Sequence, residues 1–383
     1  MKRYIIVTTA LLVALALGEG NHVWGADDVP WKQELTWGTE DTPPHVQRMQ
    51  GNNLLVNGDM EEGFYWKYPN HFVANGWLRW WKGDVIPEYD DVREWRPWRY
   101  DGNHAQVYFW YWPTAYTAGI YQRVAVQPCV FYQFSMYGRN HSGNGADHHA
   151  RVGIDPLGHE YDRFMSDLPS STVWSPEKTF FYTWGLHTVT TEARSDYITA
   201  VVYVSPDHGY QPYDTFWDAG TLVQVLPPSG RLPDPPNWNP DGFITEVVSY
   251  TQPGQLVIEW QTTESASTQV RYRITPLSSP TPLTNTSTLT TIYLPLVMTS
   301  NWQMPDLFTP VDQTGGTHHQ VVIQWPEDQT VWPEKGYNVN FVILARHLAN
   351  DACVTSVSPF LNVVVNFSGT AALHPSSSGD EEQ

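Results

Sequence analysis

Val130-Phe131-Tyr132-Gln133-Phe134-Ser135-Met136 is the stretch that decides the fold class. Successive side chains of an extended chain point to opposite faces. Val130, Tyr132, Phe134 and Met136 therefore form one apolar stripe, with Gln133 and Ser135 on the other side. The same period of two returns where Ala150, Val152 and Ile154 alternate with Arg151, Gly153 and Asp155, and where Ile198, Ala200, Val202 and Val204 flank Thr199. Clusters of Gly, Pro, Asn and Asp separate these runs, and helical periodicity is hard to find between Asn53 and Leu226. The pattern predicts an all-β chain whose first large domain, 53–226, is a β-sandwich or jelly roll.

Outward from that domain, residues 227–241 hold too many prolines for a helix or a central strand, and read as a semi-rigid linker. Alternation resumes in Leu256, Ile258 and Trp260, in Val270, Tyr272 and Ile274, in Val321, Ile323 and Trp325, and in Tyr337, Val339, Phe341, Ile343 and Ala345. These predict a second, smaller sandwich over 242–367, interrupted by a Ser/Thr/Pro-rich insertion, 276–316, expected to be extended and mobile. Within the insertion, Ile292 to Val297 is the one apolar piece able to dock on a sheet edge. Residues 26–52 read as an arm and 368–383 as a disordered tail. Lys2 and Arg3 followed by the apolar run Tyr4 to Leu17 read as an export signal, 1–25, shorter than the roughly 20 apolar residues of a membrane span. The expected location is secreted, extracellular or at the cell surface.

The chain has 383 residues, enough for two or three domains of roughly 100 to 200 residues each. Lys and Arg number 21 against 40 Asp and Glu, a net −19 that leaves no excess cation for phosphates or anionic lipid, so neither nucleic acid nor membrane insertion is expected. Aromatics reach 14% while charged residues are only 16%, a balance that suits uncharged ligands with ring faces, such as sugars. Cys129 and Cys353 fall in different domains, and either bridge or stay as two buried thiols; paired zinc spacings are absent.

The opening of the first domain, Asn53-Leu54-Leu55-Val56-Asn57-Gly58-Asp59-Met60-Glu61-Glu62-Gly63, resembles the first strand of galactose-binding-like jelly rolls, among them many carbohydrate-binding modules. Gly119 to Val124 resembles a middle strand of that family, and Phe216-Trp217-Asp218 with Thr221 to Val225 resembles its end. The resemblance implies a structural calcium shared by a carboxylate after the first strand and one before the last, here Glu61 and Asp218. The second domain resembles a fibronectin type III module, an immunoglobulin-like sandwich, in Ile244 to Val247, Leu256 to Thr263 and Ser267 to Tyr272. That implies an accessory role as spacer or adhesive element.

Gly76 to Tyr121 carries more rings than a core needs, interleaved with carboxylates, amides and arginines. Sugars stack their C–H faces on such rings while polar neighbours bind their hydroxyls. The expected ligand surface is Trp81, Glu88, Tyr89, Trp95, Trp98, Tyr100, Trp110, Trp112 and Tyr116, and the expected partner a polysaccharide or cell-surface glycan. Along 106–112, Trp110 and Trp112 are taken to face outward and Val107 and Phe109 inward. Trp77 and Trp80 are assigned to the core. The plainer alternative is that all the rings pack a thick core or a domain interface.

The expected function is therefore secreted, non-catalytic carbohydrate binding, with two alternatives. One is a glycan-active hydrolase with a carboxylate or His/Asp site, whose best candidates are His141, Asp147, His148, His149, Asp155, His159, Glu160 and Asp162. No metalloprotease, nucleophile-elbow or phosphate-loop motif accompanies them. The other is a purely structural or adhesive surface protein.

Overall fold

The computed structural model describes residues 53–67, 71–93, 96–110, 114–143, 145–161, 167–207, 213–238, 240–252, 255–276, 307–324, 337–350 and 352–365. The export signal, the arm, the tail, Trp95, Trp112, Trp325 and most of the insertion lie outside them. Apart from one 3-10 turn at Arg96–Trp98, every named element there is a strand.

The first domain is a sandwich of two sheets. Its larger sheet orders β1 (Phe64–Lys67), β2 (His71–Ala74), β4 (Glu88–Asp91), β5 (Gln106–Trp110), β12 (Tyr213–Val225), β7 (Phe131–Ser142) and β10 (Gly185–Glu192) side by side. The smaller orders β3 (Leu78–Lys82), β6 (Thr117–Ala125), β11 (Tyr197–Tyr203), β8 (Arg151–Asp155) and β9 (Val173–Trp174). The alternation of β7 does what its pattern demands: Tyr132, Phe134 and Met136 face Ile120, Val152, Ile154, Ile198 and Val202 across the interior. Phe134 is fully buried, a burial that stabilises by roughly 1.5–3 kcal/mol.

Asn53 to Gly63 is a run of turns rather than a strand, laid against the last strand of the sheet. Leu54 N–H donates to the Leu222 carbonyl at 2.9 Å, and Asn53 accepts from Leu222 N–H at 2.9 Å. Met60 fills the core from a left-handed backbone, φ 62°. Gly58 permits the closest approach: its carbonyl accepts the Gly220 N–H at 2.7 Å, and a Cβ there would strike the Gly220 carbonyl. Gln122, the polar residue in the middle of β6, is explained by the same segment, whose Val56 N–H and C=O it bonds at 2.8 and 2.9 Å.

The second sandwich sets β13 (Ile244–Gln252), β14 (Gln255–Thr262) and β17 (His318–Gln324) against β15 (Ser267–Pro276), β16 (Leu307–Phe308), β18 (Tyr337–Ala349), β19 (Ala352–Val357) and β20 (Leu361–Val365). Leu256, Ile258, Trp260, Val270, Val339, Phe341 and Ile343 form its core. Two segments read as spacers from sequence turn out to be part of this fold. Leu232 of the Pro-rich linker and Val311 of the insertion bury against Val342, Leu344, Val357 and Phe360, which are the back of β18 and its neighbours. Residues 307–316 are ordered because β16 pairs with β15 and Asp312 exchanges backbone hydrogen bonds with Thr268 at 2.8 Å.

Cys129 and Cys353 are bridged, which decides between the two readings of the sequence. Beside the bridge, Arg346 donates from Nε and Nη2 to both oxygens of Glu192 at 2.8 and 2.9 Å, with only 13% of either side chain exposed.

Three imidazoles are buried in the first sandwich: His71, His148 and His187. His148 contacts Thr215 at 2.9 Å, and neither ring nitrogen of His187 finds a partner among the described residues. Burial lowers all three pKa values to about 4. A base whose folded pKa lies below its unfolded value of roughly 6.5 stabilises fully above that value and loses the contribution as pH falls towards the folded one. The melting temperature should therefore drop steeply between pH 6.5 and 4, each histidine contributing at most about 3 kcal/mol. A melting temperature flat over that window in calorimetry would contradict neutral burial.

Candidate functional site

On the outer face of the larger sheet, rings, carboxylates and an imidazole converge by register. Along one row, Glu88 of β4 stands opposite Phe109 of β5, Phe109 opposite Asp214 of β12, and Asp214 opposite His141 of β7. Two residues along, a second row runs Asp90, Val107, Phe216, Arg139. A third begins at Asp218 and Tyr137.

Part of this face is roofed by the chain between β4 and β5. Trp98 stands edge-on to Phe216 (centroids 4.6 Å, 72°) and to His141 (5.4 Å, 68°), with the Arg139 guanidinium 5.5 Å from its ring. Arg139 also donates to the Pro97 carbonyl, and its burial lowers its pKa. Tyr100 lies flat on Tyr137 at 3.7 Å and 12°, with Trp184 edge-on at 5.9 Å. On the far side of His141, Tyr182 is half exposed and edge-on at 5.2 Å, from a left-handed backbone of φ 56°. Glu88, Phe109, Asp214 and His141 form a partly exposed row, and the Trp98 and Tyr182 rings both stand edge-on to His141 at its end. His141 Nδ1 meets Asp214 Oδ2 at 3.0 Å, which orients the imidazole.

The roof is stapled by two carboxylates. Asp218 Oδ2 accepts from Tyr100 N–H at 2.9 Å and Asp101 N–H at 3.1 Å, and Oδ1 accepts from Ala219 N–H at 2.6 Å. Glu61 Oε1 accepts from Asn103 and His104 N–H at 2.7 and 2.8 Å. Gly102, φ 62°, is needed because a Cβ there would strike the Glu61 carboxylate. Burial pushes the Asp218 carboxyl up to about 8; the three amides pull it down, and the facing Glu61 raises it further. Glu88 is also raised, by burial and then by Asp90.

The structure divides the residues expected from sequence. Trp98, Tyr100 and Glu88 sit on or over this face. Trp81, Tyr89 and Tyr116 do not: all three are buried in the sandwich core, where Tyr89 donates to the Trp80 carbonyl at 2.7 Å. They alternate inward, and a tyrosine can be buried when its hydroxyl finds a carbonyl. Trp110 is likewise corrected. The face of β5 that looks inward is Gln106, Tyr108 and Trp110, with Trp110 packed against the core and Nε1 donating to Thr114 at 2.9 Å. Val107 and Phe109 look outward. Gln106 concealed this parity, because its buried amide is satisfied by Ala74 N–H at 3.0 Å and by the Phe72 and Asp90 carbonyls at 3.1 Å. Trp77 is core as expected; Trp80 is buried on the other side of its sheet with Tyr121, Tyr161 and Val201.

Asp162 lies outside the described residues, and of the described members of the histidine and carboxylate group only His141 reaches the face. His148 and Asp155 are buried, His149 sits between Glu177 and Asp207 at 3.2 and 3.1 Å, His159 bonds Asp155 at 2.7 Å, and Glu160 pairs with Arg123 at 3.2 Å. Among the described residues no group of three or more His, Cys, Asp or Glu could hold a metal ion. Phe109, Tyr137, Arg139, Tyr182, Trp184, Asp214 and Phe216 are additions. The signal for Tyr137, Arg139 and His141 was present, as the continued alternation of β7 beyond Met136.

No family model matches the chain, and no curated protein does. Among solved structures, TmCBM61 in complex with β-1,4-galactotriose is similar over 46% of this chain and 100% of its own, at 14% identity and a TM-score of 0.31. A family 16 carbohydrate-binding module covers 45% of this chain and 99% of its own, at 19% identity and a TM-score of 0.29. The N-terminal tandem of family 22 modules from Paenibacillus barcinonensis Xyn10C covers 82% and 98%, at 12% identity and a TM-score of 0.31. At these scores the likeness is loose, and it assigns no ligand and no site residue to this chain.

Proposed function

We propose that the protein binds glycans, without cleaving them, on the outer face of the seven-stranded sheet. The observation that carries the reading is the partly exposed row of Glu88, Phe109, Asp214 and His141, with the Trp98 and Tyr182 rings edge-on to His141 at its end. Arg139 lies over the Trp98 ring at 5.5 Å, and the exposed part of that ring is what a sugar's C–H face would meet. Asp214 and Glu88 accept from hydroxyls, and His141 completes a polar set that an uncharged, hydroxyl-rich ring satisfies. Location outside the cell belongs to the same proposal, as does a presenting role for the second sandwich of fibronectin type III kind. Glycan arrays and polysaccharide pull-downs with the intact protein test it; no retention on any polysaccharide ends it.

The His141–Asp214 contact specifically favours a second reading, a glycan hydrolase in which Asp214 orients His141 as a general base. Release of reducing ends from a polysaccharide panel, lost in His141→Ala, would establish it.

A structural calcium between Glu61 and Asp218 is part of the proposal. The five amide contacts leave one lone pair on Asp218 Oδ1 and those of Glu61 Oε2, so two carboxylates would face the ion, and carbonyls or water would complete its shell. Without a cation, an acid raised to about 8 stabilises fully below its unfolded pKa of roughly 4 and loses that contribution as pH rises to 8. Calcium should therefore raise the melting temperature at pH 8 and hardly at pH 5. An unchanged melting temperature at pH 8 with calcium or chelator would remove the ion from the picture.

A further inference from the structure

The row that passes under Trp98 does not end at β4. β2 runs parallel to β4 with His71 opposite Tyr89, which puts Phe72 level with Asp90; β1 then pairs Trp66 with Phe72. One straight line of side chains thus crosses six strands: Trp66, Phe72, Asp90, Val107, Phe216, Arg139. Trp66 lies on the edge strand and is 55% exposed. Its orientation is fixed from behind, because Tyr65 on the opposite face donates its hydroxyl to the Trp77 carbonyl at 2.9 Å. Strands lie about 4.8 Å apart, so four steps separate Trp66 from Phe216, and hence from the Trp98 ring that covers it, by roughly 19 Å, several sugar rings end to end. Between the two aromatic ends stand the carboxylates of Glu88 and Asp90, side by side on β4.

Resting on the glycan-binding reading, we propose that the ligand is a linear, uncharged polysaccharide laid across the strands, with Trp66 as a remote second platform. An anionic chain on this path would carry its own charges over Glu88 and Asp90, where like charges repel at short range. A compact or branched glycan would reach the Trp98 end and leave Trp66 unused.

The test is titration calorimetry on the intact protein with neutral oligosaccharides of increasing length, of the β-1,4-glucan, xylan and galactan types, beside oligogalacturonates of matched length. For the parent protein, affinity should rise with length until the chain reaches Trp66. Trp66→Ala should leave disaccharide binding unchanged and weaken the longest chain by about three- to tenfold, while Trp66→Phe retains most of it. Glu88→Gln with Asp90→Asn should admit oligogalacturonates. An unchanged long-chain affinity in Trp66→Ala, or oligogalacturonates bound by the parent as tightly as neutral chains, overturns this inference while leaving glycan binding intact. Failure of every chain at every length overturns the binding reading itself.

Discussion

Trp98→Ala is expected to weaken glycan binding by at least roughly tenfold, a loss of about 1.4 kcal/mol or more, in a protein that stays folded. Trp98 is half-buried and contributes a wall: it covers Phe216 and stands edge-on to His141, but the roof that carries it is held by Asp218 and Glu61 through backbone amides. Those staples survive the substitution. Trp110→Ala should behave in the opposite way. Its ring packs against the core, so truncation should cost about 2–4 kcal/mol of stability while the remaining folded protein binds with parental affinity. Isothermal titration paired with thermal melts separates the two. Equal binding losses in both variants would mean that the sugar meets the other side of β5.

Replacing Cys129 and Cys353 together by serine should cost up to about 5 kcal/mol, because the bridge closes a loop of 224 residues and the entropy removed from the unfolded chain grows with loop length. The Glu192–Arg346 pair remains and retains the contact in part. Single-transition melting should become two transitions, with the second sandwich opening independently of the first. Denaturant midpoints identical in parent and variant would show that the sandwiches are held by their packing alone.

Much of the fold was legible, for a simple reason: in β7 and β8 one face is apolar and the other largely polar, so parity alone assigns each side chain. Parity failed where both faces carry rings. In β5, Tyr108 and Phe109 look equally suited to a core, and the polar Gln106 points inward because backbone groups of β2 and β4 satisfy it. Trp81, Tyr89 and Tyr116 were misassigned for the same reason, since a buried tyrosine bonded to a carbonyl cannot be told by type from one that meets a ligand. The site's other half was hidden by distance in sequence. Asp214 and His141 are 73 residues apart and meet only because β12 lies beside β7.

The position of the bridge bears on how the molecule would respond to being pulled. Cys129 lies two residues before β7, and Cys353 is the second residue of β19. Tension applied to the second sandwich passes through the sulfur atoms straight into the strand that carries Tyr137, Arg139 and His141, bypassing the Pro-rich connector. Under load the strand proposed to carry the glycan site is then also the one that bears the strain, drawn lengthwise along its hydrogen-bonded neighbours in shear.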